Sequence, residues 1–315
     1  MRTIDVIIPV YRPDEKLVRL LERLHRQTCP VHRIILINTE RSLFEAFFRE
    51  GLPARFDKAE VHHISREEFD HGGTRRRAVE YSDAEFFICM TDDAVPADAY
   101  LVEKLMEPLL SGKASAAYAR QLAGKESDVL ERLSRRFNYP PVSRIKTLSD
   151  RKELGIKSFF CSNVCAAYVR AEYERLGGFE KHMIFNEDMV YAGKLQDAGG
   201  AIAYVADARV YHAHHYSALQ QFKRNFDLGV SQAQFPGLFG QLSSQKEGMK
   251  LVRIGCGCLL RRGDLYGICK LFWLSAWKLA GYQLGKHYRL LPRPLIRCFT
   301  MNRIYWERSL ETPRT

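Results

Sequence analysis

The chain alternates short apolar runs with amphipathic stretches, and it does so most regularly in its first ninety residues. Ile4-Asp5-Val6-Ile7-Ile8-Pro9-Val10 is a β-branched run closed by proline, the pattern of a buried strand. Asp14 is a candidate N-cap, and Leu17, Leu20, Leu21 and Leu24 follow at helical spacing. Arg33-Ile34-Ile35-Leu36-Ile37-Asn38 predicts a second buried strand and Val61-His62-His63-Ile64 a third. Thr74 to Tyr81 predicts a helix, and Glu85 to Met90 a fourth strand. Strands separated by helices predict an α/β fold, a mostly parallel sheet flanked by crossover helices. Ligands of such sheets bind outside the carboxyl ends of the strands. Tyr11, Arg12, Thr39, Glu40 and Asp93 fall there.

Further along, residues 124–155 are rich in charge and contain Pro140-Pro141, which predicts a surface excursion with a helix over Asp128 to Phe137. Ser158 to Val169 is uncharged and strand-like at its end. Glu172 to Leu176 predicts a short helix stopped by Gly177-Gly178. A helix from Met189 to Asp197 and strands at Ala201 to Val205 and Arg209 to Tyr211 complete this part. From about Ser217 the pattern changes to long, basic, helix-like segments, so the expected division is a domain over 1–217 and a basic helical region over 218–315.

Charge follows the same division. Residues 251–315 carry twelve Lys/Arg and three Asp/Glu, a net of +9 out of +11 for the chain. Such a segment suits an anionic lipid, nucleic acid or anionic substrate. No groove-reading motif accompanies it, so nucleic acid is not an expected partner. The richest apolar stretch, Leu265 to Gly285, is interrupted by Lys270 and Lys278 and falls short of a membrane span. It reads either as an interfacial helix resting on anionic lipid or as a core helix with a solvated arginine rim. Eight scattered cysteines, with no CxxC pair and no secretory signal before the first strand, lead to an expectation of buried thiols in a reducing cytoplasm. Cys256-Gly257-Cys258 is too closely spaced for a usual zinc site.

Four constellations carry candidate chemistry. Phe87-Ile88-Cys89-Met90-Thr91-Asp92-Asp93 is an apolar run ending in two carboxylates. It can hold a hard divalent cation with positions left for phosphate oxygens, or it can be a turn or helix cap. Asp70-His71-Gly72-Gly73-Thr74-Arg75 can admit an anion to backbone N–H groups or open a solvated basic helix. Asn186-Glu187-Asp188 offers a general base or acids placed to favour a helix dipole. His212-Ala213-His214-His215 offers a neutral imidazole ligand or a polar edge. GxGxxG and GxxxxGK[ST] are both absent, which argues against a dinucleotide fold and a P-loop.

In order and spacing, Ile7-Ile8-Pro9-Val10-Tyr11, Asp93, Gly177-Gly178-Phe179, Asn186-Glu187-Asp188 and the histidines resemble the inverting family 2 glycosyltransferases of GT-A fold over residues 3–217. Phe69-Asp70-His71-Gly72-Gly73-Thr74-Arg75, Thr91-Asp92-Asp93-Ala94-Val95-Pro96 and His212-Ala213-His214-His215-Tyr216-Ser217 are most similar to the bacterial rhamnosyltransferase branch. The resemblance implies a nucleotide-sugar donor, dTDP-rhamnose in that branch, and an acceptor hydroxyl on a cell-wall or surface polysaccharide or its lipid-linked form. It places Pro9, Tyr11 and Glu40 in the nucleoside pocket and Arg75 on the donor's diphosphate or sugar. Asp93 takes the place of the metal-binding DxD-like acid, and Asp92 beside it is a further donor-binding candidate that either compensates for the first acid or faces solvent. His212 or His214 would complete a Mg²⁺ or Mn²⁺ site, and Asp188 would be the catalytic base. Thr91 stands where the first acid of DxD is usual, and Asn38-Thr39-Glu40 where many relatives have an aspartate pair. The alternatives are a UDP-hexose transferase and a non-catalytic sugar-binding scaffold. The expected location is the cytoplasm, peripheral at the inner face of the cell membrane if the basic segment rests on lipid.

Overall fold

The computed structural model describes residues 2–213, 216–240, 242 and 244–311. Its sheet is built from β1 (Ile4–Tyr11), β2 (Arg33–Thr39), β3 (Ala59–Ile64), β4 (Phe86–Met90), β5 (Val95–Pro96), β6 (Ala116–Leu122), β7 (Arg144–Lys146), β8 (Cys165–Val169) and β9 (Ile202–Tyr211). The strand order is β3-β2-β1-β4-β8-β6-β9-β5, with β7 also on β9. β1 to β4 are parallel neighbours. β8 runs antiparallel to both β4 and β6, and β6 and β9 are parallel. All the long strands except β8 therefore point the same way.

This arrangement sets up the site. Because β8 is reversed, its first residue lies opposite the last of β4: Met90 pairs with Cys165. The residues before β8 and those after β4 therefore meet at one edge of the sheet. β6 and β9 end in register there too, with Leu122 opposite Tyr211.

The elements follow the sequence pattern with shifts of a few residues. Asp14 caps the helix Glu15–His25, its carboxylate accepting from the Lys16 N–H, and Leu17, Leu20, Leu21 and Leu24 are all buried. The helices expected from Thr74, Asp128 and Met189 run over His71–Glu80, Val129–Asn138 and Glu187–Asp197. β6 has little strand signal of its own, because Ala116, Ala117 and Ala119 lack the branched or aromatic side chains strands favour. These alanines are buried at the centre of the sheet under the helix Leu101–Leu110, where small side chains admit the helix closely.

The chain divides into two compact units. One comprises the residues up to Gly124, Tyr139–Lys181 and Glu187–His212; the other comprises Lys125–Asn138, His182–Asn186 and the chain from Ala213 on. Two short excursions from the first 217 residues thus belong with the C-terminal helices. The second unit contains the helices Ala218–Gln234, Ser244–Arg261, Leu265–Lys286, Arg293–Phe299 and Arg303–Glu311. Ser217 and Gln220 form a capping box at the first of these. Phe226, Val230, Ile184, Tyr288, Ile296 and Trp306 form its core.

The expectation of buried thiols holds for Cys89, Cys161 and Cys165 only. Cys269 and Cys298 are exposed and Cys29, Cys256 and Cys258 half-buried. The C-terminal four sit on helices whose buried faces are narrow, so apolar sequence there does not mean burial.

The helices Ala218–Gln234 and Leu265–Lys286 meet backbone to backbone. A Cβ on Gly285 would lie 2.1 Å from Phe226 O, one on Gly281 2.2 Å from Phe222 O, and one on Gly229 2.3 Å from Tyr282 O. Helical glycine costs about 0.5–1 kcal/mol relative to alanine, and the close approach explains its presence here. Gly285→Ala is expected to destabilise the protein by about 3 kcal/mol. Gly257→Ala, with nothing within 4 Å of the new Cβ, should instead add up to about 1 kcal/mol. Calorimetric melting of the two variants checks this, and equal effects would reject the packing argument.

Candidate active site

β1 and β2 end in backbone conformations that side-chain-bearing residues rarely adopt, with φ of 55° at Arg12 and 69° at Glu40. Each such residue costs about 1–3 kcal/mol, so the surrounding contacts must hold it. Asn38 Nδ2 donates to Glu40 O at 3.1 Å, and the Glu40 carboxylate accepts from the Arg66 N–H at 2.7 Å. Tyr11 is 39% exposed, with the Arg12 guanidinium 5.2 Å above its ring. Pro9 lies half-buried in β1, opposite Ile37 of β2. The Tyr11 N–H donates to Asp92 Oδ2 at 3.3 Å, tying the end of β1 to the loop after β4.

In that loop, burial and the adjacent Asp93 charge push the Asp92 carboxyl up to about 6. Asp93 Oδ1 lies 3.4 Å from Nε2 of His212, which is buried. The imidazole is oriented from behind. Gln121 Nε2 donates to Ser162 Oγ at 3.0 Å, which turns Gln121 Oε1 toward His212 Nδ1 at 3.1 Å. An amide oxygen only accepts, so Nδ1 carries the hydrogen, and Nε2 faces Asp93 as a lone pair in the neutral imidazole or as a second N–H in the imidazolium. A positive charge, either a proton on Nε2 or a metal ion between the two atoms, is what holds an imidazole nitrogen and a carboxylate oxygen this close.

A divalent cation fits this donor set. An oxygen and an imidazole nitrogen are suitable ligands, the imidazole is held by a second hydrogen bond as metal-binding histidines usually are, and Mg²⁺ commonly takes one or two carboxylates and completes its shell with phosphate oxygens and water. Among the described residues no three His, Cys, Asp or Glu form a closed metal cage, so such an ion would rely on the donor for further ligands. His214, the other expected ligand, lies outside the described residues.

The second acidic pair opens the helix Glu187–Asp197, directly after Asn186 with its φ of 65°. Glu187 and Arg75 form a buried ion pair at 3.0 Å. Arg75 Nη1 also donates to His71 O at 3.0 Å. The guanidinium expected to touch the donor is therefore committed to Glu187. The Gly72-Gly73 pair opens the helix His71–Glu80, and the Gly73 N–H is taken by the carboxylate of Asp70, not left for an anion.

Asp188 accepts from the backbone N–H groups of Asn163 and Met189, both at 2.8 Å. Burial and the neighbouring Glu187 nonetheless hold its carboxyl well above the usual range. Asn163 is buried and shared: its Nδ2 donates to Glu187 at 3.0 Å, and its Oδ1 accepts from Tyr168 OH at 2.8 Å. The next residue, Val164, accepts the Thr91 N–H at 3.3 Å. A continuous line of bonds thus runs from Tyr11 through Asp92 and Thr91 to Val164, Asn163 and Asp188, while Gln121 and Ser162 link the His212 side to the same pre-β8 segment.

Gln121, Ser162 and Asn163 were not among the sequence-based candidates. The polar Ser162-Asn163 pair inside the uncharged run Ser158 to Val169 was the available signal. Gln121 had none, because its strand was not legible.

Residues 5–177 match the family model described as Glycosyl transferase family 2. The chain belongs to that family. This family 2 glycosyltransferase is 34% identical over 309 residues, 96% of each chain, to the O-antigen chain rhamnosyltransferase RfbN of Salmonella typhimurium (strain LT2). It is 37% identical over 247 residues, 77% of this chain and 78% of the relative, to the O-antigen chain rhamnosyltransferase WbaN of Salmonella anatum. Among solved structures, the mannosyltransferase PcManGT from Pyrobaculum calidifontis, in complex with GDP-Man and Mn²⁺, superposes with a TM-score of 0.57 at 14% identity, covering 99% of this chain and 87% of that one. S. aureus TarS 1–349, in complex with UDP-GlcNAc, gives 0.51 at 12% identity over 91% of each chain. The transferase thus has the GT-A fold, with further helices at its C-terminus.

Replacing Arg75 by methionine leaves Glu187 as an unpaired buried charge and is expected to cost about 3–5 kcal/mol. The double variant R75M/E187L should recover most of that loss. Denaturant unfolding of the two variants measures it, and a fully stable Arg75→Met would show that the pair does not hold this edge together.

Proposed function

We propose that this transferase moves a rhamnosyl group from dTDP-rhamnose onto a hydroxyl of a surface polysaccharide in one inverting displacement. The observation that carries the reading is the shared edge: two acidic pairs and a histidine, about 120 residues apart at their extremes, the acids joined through Thr91, Val164 and Asn163 and the histidine through Gln121 and Ser162. The sugar and acceptor class rest on the rhamnosyltransferase relatives at 34% and 37% identity.

In this reading residues 1–217 form the transferase domain and 218–315 a basic helical region. Pro9, Tyr11 and Glu40 line the nucleoside pocket at the ends of β1 and β2. Asp92 braces the Tyr11 backbone. Mg²⁺ or Mn²⁺, held by Asp93 and His212 Nε2, with His214 the alternative histidine, would neutralise charge on the departing diphosphate. Arg75 acts through Glu187 as a positioning residue for the Asp188 helix. Asp188 takes the proton of the acceptor hydroxyl as that oxygen attacks the anomeric carbon, and its raised pKa makes it a stronger proton acceptor than an ordinary carboxylate. The protein works in the cytoplasm, peripheral at the inner face of the cell membrane, on a lipid-linked acceptor.

Asp188→Asn should lower kcat by about 10²–10⁴ while donor affinity stays near normal, measured as dTDP-rhamnose turnover. Near-normal kcat in a folded D188N protein would remove Asp188 as the base. The base acts ionised, so activity should rise with pH along a limb above the ordinary carboxylate range, and D188N should lack that limb. Gln121→Leu removes the acceptor behind His212 and should weaken Mn²⁺-dependent donor binding about 10–100-fold by calorimetry. Unchanged binding would reject the metal assignment.

A further inference from the structure

The helix Leu265–Lys286 buries only part of its surface. Gly267, Leu271, Gly281, Tyr282 and Gly285 face inward. The outward positions recur every three to four residues, so they share one face. That face is apolar: Tyr266 is 79% exposed, Leu265 69%, Trp273 59%, Phe272 54% and Leu279 51%. Cys269, Ala276 and Ala280 are exposed between them, so the stripe is not interrupted by charge. From Tyr266 to Ala280 it is about 21 Å long. Exposed apolar area of this kind marks an interaction surface.

Charge says what covers it. The stretch from Leu265 to Trp306 contains seven Lys/Arg and no Asp or Glu. Arg261 and Arg262 flank one end of the stripe and Lys286 and Arg289 the other, all exposed. A second copy of this chain would bring the same cations against each other. No helix among the described residues is long and apolar enough to cross a membrane. Lys270 is paired with Asp128 at 2.7 Å, but the exposed cations at the two ends of the stripe remain in excess. Aromatic side chains, a continuous apolar stripe and flanking cations are the features of a helix lying in the plane of an anionic lipid interface.

We propose that the helix Leu265–Lys286 is a membrane-docking surface, with Phe272 and Trp273 inserted among anionic lipids and the flanking arginines on their headgroups. It gives a structural basis to the membrane-side acceptor of the proposed function and rests on that reading for its purpose, but not for the binding itself.

The test is flotation of the full-length protein with vesicles of phosphatidylethanolamine and phosphatidylglycerol, against vesicles of phosphatidylcholine alone. The wild type should float with the first and about tenfold more weakly with the second, and each flanking arginine changed to glutamine should weaken binding about fivefold. The double variant F272E/W273E should lose flotation. Both positions are exposed, so its circular dichroism and its transfer to a soluble acceptor fragment should match wild type, and L279E serves as the second variant if the first does not fold. Wild type that stays at the bottom of the gradient, F272E/W273E that floats unchanged, or wild type that is a dimer broken by F272E/W273E would each overturn the proposal. Loss of transfer in otherwise normal flotation would count against the catalytic reading alone.

Discussion

The site depends on the reversal of β8. If this strand ran parallel to β4, as β1 does, its amino end would lie at the far edge of the sheet, about 17 Å away for five residues. Reversed, it places Val164 against Thr91 and brings Ser162 and Asn163 to the same edge. Asn163 then reaches Asp188 with its backbone and Glu187 with its side chain. One antiparallel strand in a largely parallel sheet thus converts acids from distant parts of the chain into neighbours.

The two acidic pairs share an electrostatic logic. Adjacent carboxylates at a partly desolvated edge cannot both be accommodated as free charges, and the structure treats the members of each pair differently. Arg75 is spent on Glu187, while Asp188 beside it is held high. His212 faces Asp93, while Asp92 beside it is pushed up to about 6. In each pair one carboxylate is engaged by a basic side chain while the carboxyl of the other is raised, an arrangement suited to divided roles in acid–base and metal chemistry.

The C-terminal unit solves a different problem. Three glycines let the helices Ala218–Gln234 and Leu265–Lys286 approach through their backbones, so a narrow buried face suffices and several large apolar side chains of Leu265–Lys286 are left outside. A hydrophobic segment that would otherwise be taken for core therefore becomes surface. Its cations outnumber the acids near them in sequence twelve to three over residues 251–315, in contrast with the first 250 residues, where 36 basic and 34 acidic groups nearly cancel.

The sequence by itself determined the local elements and the chemical vocabulary. β-branched runs closed by Pro9 and Asn38 made strands, the Leu17–Leu24 spacing made a helix, and the acids and histidines identified the family. These are short-range properties, encoded in propensity and period. Tertiary structure decided what the pattern could not. It paired Arg75 with Glu187 and used Gln121, from an alanine-rich strand legible only by its burial, to set the His212 tautomer. It turned the apolar helix outward. Each of these depends on which strand lies beside which and how closely two helices approach, and such long-range packing leaves no periodic trace in the chain.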